Sequence, residues 1–162
     1  MKIGVVSDTH DNLDSVRKAI SIFEDEEVRK VVHCGDVISP FTAELFDREF
    51  DFHTVRGNND GEWNLKEKVK EFGDFYNNVA ELELGGRDIA AYHGTEEQIV
   101  EALVSMDYDY VLRGHTHKRK KERHGETLEI NPGGIELPGQ DEGFSVAIID
   151  LKKGDVDYRV FG

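Results

Sequence analysis

Short apolar runs alternate with stretches of helical period along the first half of the chain. Three runs rich in β-branched residues, each followed by turn-forming residues, predict strands at KIGVVS, KVVHC and FHTVR (2–7, 30–34 and 52–56). Apolar residues recur at helical spacing over 13–27, and a second helix is expected to begin at Ser39–Pro40, because proline is tolerated in the first helical turn. This βαβαβ order implies parallel strands joined by right-handed crossovers.

The second half of the chain carries more hairpin signals. Gly85-Gly86 lies between the predicted strands 79–84 and 87–93, which indicates a two-residue hairpin. Helices are expected within 63–72 and over 96–105. The remaining predicted strands are 109–113, 118–124, 126–131, 144–151 and 155–161. Two packed sheets with helices outside would reconcile both halves, and no linker or repeat divides residues 1–162, so we expect one domain.

Composition narrows the class of protein. The chain has 162 residues with a hydrophobic content of 38%, which suits one folded domain. No apolar run is long enough to span a membrane and the N-terminus resembles a strand rather than a signal peptide, so we expect no membrane association. The single cysteine, Cys34, is typical of a protein from a reducing cytoplasm. The net charge of −14 disfavours stable binding to nucleic acids, which requires a cationic surface.

Polar residues follow five of the predicted strands directly. Ligands of α/β proteins bind beyond the carboxyl ends of strands, because turns there project side chains without breaking the sheet. Oxygen or imidazole donors occupy all five strand ends, and glycines beside four of them permit close backbone approach. The segments are Asp8-Thr9-His10, Gly35-Asp36, Gly57-Asn58-Asn59-Asp60, His93-Gly94 and Gly114-His115-Thr116-His117. Their joint occurrence predicts a metal site at one end of the sheets.

The set DTH, GD, GNND, HG and GHTH resembles, in order and spacing, the motifs of the calcineurin-like metallophosphoesterases. The short length and the GNND variant are most similar to the small bacterial and archaeal phosphodiesterases of that superfamily. This resemblance implies an α/β fold, a four-layer α/β/β/α sandwich of two mixed sheets, with a dinuclear metal centre. It assigns one ion to Asp8, His10 and His117, the other to Asn58, His93 and His115, and the bridging position to Asp36.

The donor set is chemically consistent with this implication. Carboxylate, amide and imidazole donors without thiolates suit two divalent ions, for which we expect Mn²⁺ or Ni²⁺, with Fe²⁺, Zn²⁺ and Mg²⁺ also compatible. A water shared by two such ions loses a proton at neutral pH, and the bridging hydroxide could attack phosphorus in line. The sequence therefore predicts a metal-dependent hydrolase that acts on a small phosphodiester.

Asn59 departs from the commonest pattern of the superfamily, in which a histidine follows the ligand asparagine and protonates the leaving group. An amide can donate a hydrogen bond but cannot deliver a proton near neutral pH. We therefore assign Asn59 a catalytic role as a hydrogen-bond donor and expect phosphodiesters with good leaving groups as substrates. Asp60 is expected either to position Asn59 or a histidine, or to close the turn.

Several residues outside these motifs have open roles. His33 is expected in the core or behind the site, whereas His53 and His124 are expected at the surface. The basic run Lys118–Arg123 suits a solvated strand edge or a surface that attracts an anionic substrate. Trp63 could form a lid or a subunit contact, so a homo-oligomer is left open.

Two other functions fit parts of the sequence. A non-catalytic scaffold similar to a retromer subunit would share the fold, but all ligand positions are intact here. A nuclease or phosphomonoesterase of the same superfamily would share the motifs, but the acidic charge and Asn59 disfavour both.

Overall fold

A computed structural model of the protein describes residues 1–134 and 143–162, which form two β-sheets and four α-helices. The strands are β1 (Lys2–Val6), β2 (Lys30–His33), β3 (Asp51–Val55), β4 (Gly73–Tyr76), β5 (Ala80–Leu84), β6 (Arg87–Ala91), β7 (Tyr110–Leu112), β8 (Arg119–His124), β9 (Thr127–Pro132), β10 (Phe144–Asp150) and β11 (Asp155–Phe161). The helices are α1 (Leu13–Asp25), α2 (Pro40–Glu44), α3 (Leu65–Val69) and α4 (Glu97–Val104). No helix in these ranges is long and apolar enough to cross a membrane.

Both sheets are mixed. The first has the strand order β11-β10-β1-β2-β3-β4, in which β1 to β4 are parallel and β10 runs antiparallel to β1. The second has the order β5-β6-β7-β9-β8, with parallel β6, β7 and β9 flanked by antiparallel edge strands. The basic strand β8 therefore forms one edge of the second sheet, which fits one of the two interpretations of the run Lys118–Arg123.

The core lies in three layers of apolar contact. Between the sheets, side chains such as Val5 and Val32 share one cluster with Ile89 and Leu112. A second cluster packs the helices α1 to α3 against the outer face of the first sheet, and a third packs α4 against the second sheet. The predicted four-layer α/β/β/α sandwich of two mixed sheets is confirmed.

Local sequence explains where the helices begin. The side chain of Asn12 accepts a hydrogen bond of 3.1 Å from the backbone N–H of Ser15, which caps α1. Ser39 caps α2 in the same way through Thr42, and Pro40 occupies the first turn. The chain therefore enters each helix immediately after a loop that carries predicted ligands.

The sequence pattern did not predict the strand β4, and this omission explains the wrong expectation about His53. The segment Gly73–Tyr76 forms β4 rather than a loop, because Gly73 allows the backbone to approach Phe52 closely. A Cβ at position 73 would lie only 2.5 Å from the carbonyl oxygen of Phe52. His53 pairs with Asp74 of this strand. His53 was expected at the surface, but β4 covers it and leaves it 7% exposed. His124, also expected at the surface, is partly covered, and its Nε2 lies 2.7 Å from a carboxylate oxygen of Glu129.

Candidate metal centre

The loops after β1, β2, β3, β6 and β7 meet at one end of the two sheets. Backbone hydrogen bonds join the loops of the first sheet, since the N–H of Asp8 donates to Gly35 (2.9 Å) and that of His10 donates to Asp36 (3.0 Å). The N–H of Gly114 donates to His93 (2.9 Å) and joins the two loops of the second sheet. All seven residues predicted as metal ligands lie in these loops.

The backbone at many of these residues adopts an uncommon conformation. Positive φ values are unusual for residues other than glycine and cluster at functional sites, where the surrounding structure stabilises them. Five of the seven predicted ligands have them: Asp8 (54°), His10 (42°), Asp36 (60°), His115 (68°) and His117 (58°). These turns aim the side chains back over the ends of the sheets.

A first group of donors surrounds one oxygen of Asp8. Its Oδ1 lies 3.2 Å from Nε2 of His117 and 3.7 Å from Nε2 of His10. The rings of His10 and His117 stand edge to face with centroids 5.2 Å apart. The structure thus brings together the three residues predicted to hold the first ion.

A second group surrounds the side-chain oxygen of Asn58. This oxygen lies 2.9 Å from Nε2 of His93 and 3.0 Å from Nδ1 of His115. The two rings again stand edge to face at 5.2 Å. These are the three residues predicted to hold the second ion.

Asp36 lies between the two groups. Its Oδ2 is 3.2 Å from Nε2 of His10 in the first group and 3.5 Å from Nε2 of His93 in the second. The backbone N–H of Asn59 donates to Oδ1 of Asp36 (2.9 Å), and the Asn59 amide donates to Oδ2 (2.8 Å). One carboxylate oxygen therefore faces both donor groups, which is the arrangement a bridging ligand needs.

Hydrogen bonds behind the site orient the donors. Nδ1 of His93 lies 2.7 Å from the carbonyl oxygen of Cys34, which assigns the proton to Nδ1 and turns Nε2 towards the site. The hydroxyl of Ser7 and the N–H of His115 donate to Oδ2 of Asp8 at 2.6 and 3.0 Å. These two bonds occupy one oxygen of Asp8 and leave the other facing the histidines.

His33 supports the site from the core. Its Nδ1 accepts a hydrogen bond of 3.1 Å from the N–H of Gly35, and its Nε2 lies 3.0 Å from the hydroxyl of Thr9. Burial lowers the pKa of His33 to about 3, so the ring is neutral and can accept that bond. The expectation that His33 lies behind the site is confirmed.

The donor atoms fit divalent cations. Oδ1 of Asp8 and Nε2 of His10 are both buried, and neither has a hydrogen-bond partner within residues 1–134 and 143–162. Buried polar atoms normally have a partner, and these two converge with the atoms of Asp36 and His117. Oxygen and nitrogen donors in this arrangement match the chemistry of a first-row divalent ion.

The carboxylates of the site are ionised, which favours the binding of a cation. Burial alone would raise the pKa of Asp8 and of Asp36, but neighbouring imidazoles outweigh it and hold both pKa values well below their usual range. Asp36 and Asp8 in turn raise the pKa of His10 to about 9. The two carboxylates therefore stay ionised at neutral pH, whereas His10 carries a proton that a cation would have to displace.

Two glycines allow the loops to approach this closely. A Cβ on Gly114 would lie 1.8 Å from the hydroxyl oxygen of Ser7 and 2.5 Å from Oδ2 of Asp8. A Cβ on Gly57 would lie 2.1 Å from Oδ1 of Asp36. Both positions therefore exclude any side chain.

Asp60 holds two of the ligand loops together, a role that neither predicted interpretation describes fully. Its carboxylate accepts hydrogen bonds from the backbone N–H groups of Gly57 (2.7 Å), Ile38 (2.8 Å) and Asp36 (2.9 Å). It closes the turn after β3, as one interpretation expected, but it does not position Asn59 or a histidine. Sequence could not reveal the bonds to residues more than 20 positions away.

Arg113 is a further supporting residue that sequence reasoning missed. It is buried, pairs with Glu97 (2.9 Å) and Glu129 (3.4 Å), and donates to the carbonyl oxygen of Gly94 at 3.4 Å. Its position immediately before Gly114 connects the loops that carry His93 and His115. An arginine directly before the GHTH motif was a visible signal, because a buried strand rarely ends in an unpaired charge.

Comparison with known proteins identifies the family. The sequence profile of the calcineurin-like phosphoesterase superfamily domain matches residues 1–154. The chain belongs to this superfamily. A phosphodiesterase of Methanocaldococcus jannaschii is 40% identical over 159 residues, which cover 94% of this chain and 95% of that protein.

Solved structures of other proteins share this fold. A structure described as a novel archaeal phosphodiesterase superposes with a TM-score of 0.90 at 36% identity, over 99% of this chain and 100% of the other. Vps29 from Entamoeba histolytica, solved with Zn²⁺, has a TM-score of 0.70 at 17% identity, over 98% of this chain and 97% of the other. At that identity, the second likeness shows the fold alone.

Proposed function

We propose that this protein is a phosphodiesterase that depends on two divalent metal ions. The observation that carries the proposal is the position of Asp36, whose Oδ2 faces His10 at 3.2 Å and His93 at 3.5 Å. Similarity over nearly the whole chain to a relative named a phosphodiesterase supports this reaction.

The seven predicted ligands divide into two sets that share one residue. Asp8, His10 and His117 would hold one ion and Asn58, His93 and His115 the other, with Asp36 between them. Two divalent ions supply Lewis-acid activation of the phosphoryl group and of water. We retain Mn²⁺ and Ni²⁺ as the expected ions, with Fe²⁺, Zn²⁺ and Mg²⁺ also compatible, because carboxylate, amide and imidazole donors suit divalent ions of these kinds.

The side chains around the site favour diesters over monoesters. Asn59 can donate a hydrogen bond but not a proton, and its amide is directed at Asp36. The protein itself therefore offers little help to a poor leaving group at this position. We propose a small phosphodiester with a good leaving group as substrate, without stable nucleic-acid binding because of the net charge of −14. A cytoplasmic location remains part of this proposal.

The test begins with metal-stripped protein. Turnover of bis(p-nitrophenyl) phosphate and of p-nitrophenyl phosphate is measured after addition of Mn²⁺, Ni²⁺, Mg²⁺ or Zn²⁺. We expect turnover of the diester with Mn²⁺ or Ni²⁺ and little turnover of the monoester. A pure protein that takes up no metal and hydrolyses neither ester would favour the scaffold alternative, and DNA binding that persists at physiological salt would favour the nuclease.

Asp36→Ala tests the bridging position directly. Without this carboxylate, two cations would repel each other with no shared anionic ligand, so both the bound metal and diester turnover should be lost. Metal content is measured by elemental analysis. Asp47→Ala, which removes an exposed carboxylate outside the site, serves as the control. Near-wild-type turnover in Asp36→Ala would overturn the assignment.

A further inference from the structure

A groove of about 450 Å³ lies between α2 and α3 and has two exposed aromatic side chains on its surface. Phe41 is 78% exposed and Trp63 is 87% exposed. Single exposed apolar residues are ordinary, but two large aromatic residues lining one groove indicate a surface that binds something. We call this feature the aromatic groove.

The other charged residues of the aromatic groove are mostly acidic. Lys68 pairs with Glu44 (3.1 Å) and with Glu71 (3.0 Å), so this lysine balances part of their charge. Glu62 and Glu67 also line the groove, near Trp63 in the chain. Lys70, which does not line the groove, lies 3.9 Å from Glu67 and balances part of its charge. The lining itself has four carboxylates and one ammonium, so it remains net negative, which repels a phosphate and attracts a cation.

The combination of aromatic rings and carboxylates favours an organic cation over a metal ion. An aromatic face attracts organic cations through its quadrupole, and tryptophan is the strongest of the aromatic side chains in this respect. A small hydrated metal ion would make no use of Phe41 and Trp63. A quaternary ammonium group uses both features, because its methyl groups contact aromatic faces and its charge is balanced by carboxylates.

Hydrogen bonds attach one end of the aromatic groove to the candidate metal centre. Ser39, which lines the groove, donates through its hydroxyl and its N–H to Asp11 at 2.8 and 3.0 Å, and Asp11 directly follows His10. Trp63 follows the loop that carries Asn58, which Asp60 ties to the loop of Asp36. The groove therefore adjoins the loops that carry His10, Asp36 and Asn58.

We propose that the aromatic groove binds the trimethylammonium group of a zwitterionic phosphodiester, in which a choline-type alcohol esterifies the phosphate. The proposal rests on the proposed phosphodiesterase function and names its substrate class. The anionic phosphate lies at the cationic metal centre, and the organic cation lies at the anionic groove. Such a substrate has no net charge, so the −14 charge of the protein does not hinder its approach.

A kinetic experiment isolates the charge of the substituent. The substrates are the p-nitrophenyl phosphodiesters of choline and of 3,3-dimethylbutanol, which have the same shape and leaving group and differ only in nitrogen or carbon at one position. We expect the Mn²⁺-loaded protein to prefer the choline ester by about two- to fivefold in kcat/KM, the range of a cation–π contact at an exposed site. Equal values for both esters would overturn the proposal.

Variants locate the preference in the groove. Trp63→Ala should abolish most of the choline preference, Glu62→Gln should reduce it, and Trp63→Phe should retain most of it. Glu101→Gln removes an exposed carboxylate on α4 and serves as the charge-matched control, with an unchanged preference. A preference that survives Trp63→Ala would place the cation elsewhere and overturn the proposal.

A second measurement does not depend on metal or turnover. Trp63 is the single tryptophan of the chain, so intrinsic fluorescence of the chelator-treated protein reports on the groove directly. Choline chloride should change the emission saturably, whereas sodium chloride at equal ionic strength and 3,3-dimethylbutanol should not. A response to thymidine but not to choline would assign the groove to a nucleobase, and a response to protein concentration alone would assign it to a second copy of the chain. Either outcome overturns this inference, whereas failure to hydrolyse any diester would overturn the proposed function and leave the fluorescence result intact.

Discussion

Removing the carboxylate of Asp60 should loosen the metal centre without touching a metal ligand. Asp60 is 3% exposed and accepts three backbone hydrogen bonds, from Asp36, Ile38 and Gly57 at 2.7–2.9 Å. In Asp60→Ala these N–H groups lose their acceptor while they remain mostly buried. The loops that carry Asp36 and Asn58 would then keep the hydrogen bonds that Asn59 donates to Asp36 but lose the bonds to Asp60.

The expected loss of stability depends on the number of lost hydrogen bonds and on two opposing effects. Leaving a buried donor without a partner costs about 1–3 kcal/mol, so three donors would cost about 3–9 kcal/mol in a rigid structure. Burial raises the pKa of Asp60, and the nearby Asp36 carboxylate raises it further, so the wild type pays part of this energy to keep Asp60 ionised. Water can also enter the space in the alanine variant. We therefore expect a loss of about 3–5 kcal/mol in the free energy of unfolding, which corresponds to a fall in Tm of roughly 6–20 °C.

Asp60→Asn separates the hydrogen bonds from the charge. Its single carbonyl oxygen can keep the two bonds to Asp36 and Gly57, while its NH₂ group would face the N–H of Ile38. One lost bond with less repulsion of Asp36 predicts a cost of about 1–2 kcal/mol. Asp47→Ala, which changes an exposed carboxylate, should stay within about 0.5 kcal/mol of wild type.

Urea unfolding of chelator-treated protein, followed by far-UV circular dichroism, measures these stabilities. Isothermal titration with Mn²⁺ measures the second consequence, a metal affinity about 10–100-fold weaker in Asp60→Ala, as is typical when support behind a ligand is removed. An Asp60→Ala variant within 1 kcal/mol of wild type, or one with unchanged metal affinity, would refute the reasoning. An Asp60→Asn variant more stable than wild type would show that repulsion from Asp36 outweighs the hydrogen bonds.

Two further predictions concern the metal centre. Gly114→Ala should displace Ser7 and Asp8, because its Cβ would lie 1.8 and 2.5 Å from their oxygens. Elemental analysis should show a severalfold fall in metal content, whereas the control Gly125→Ala, at an open turn, should keep its metal. Full metal occupancy in Gly114→Ala would contradict the packing argument. Metal binding should release about one proton from His10 at pH 7.5, since the pKa of His10 is about 9 in the metal-free protein. Calorimetric metal titrations in buffers of different ionisation enthalpy should reveal this proton. Binding heats that do not depend on the buffer would contradict the prediction. The same shift contributes stability to the metal-free protein that is fully present below pH 6.5 and is lost as the pH rises through 9, the sign expected for a raised histidine pKa.

The sequence alone was sufficient to predict the strands that end in candidate ligands. The residue types at the ends of β1, β2, β3, β6 and β7 carry the information, because short apolar strands are recognisable and their carboxyl ends share one edge of a sheet. The two mixed sheets followed from the order of these elements together with the family resemblance. The seven ligands were predicted from the motifs together with the family resemblance, and they stay a prediction that metal analysis tests.

The tertiary structure decided what surrounds those ligands. β4 has no alternating pattern and forms because Gly73 can approach Phe52, so neither the strand nor the burial of His53 beneath it could be inferred locally. Asp60 and Arg113 owe their roles to partners far away in the chain, and Asn59 turns its amide to Asp36 rather than away from it. Local sequence determines where a turn falls and which donor it carries. The direction of each donor depends on long-range hydrogen bonds and close packing, which exist only once the loops have come together.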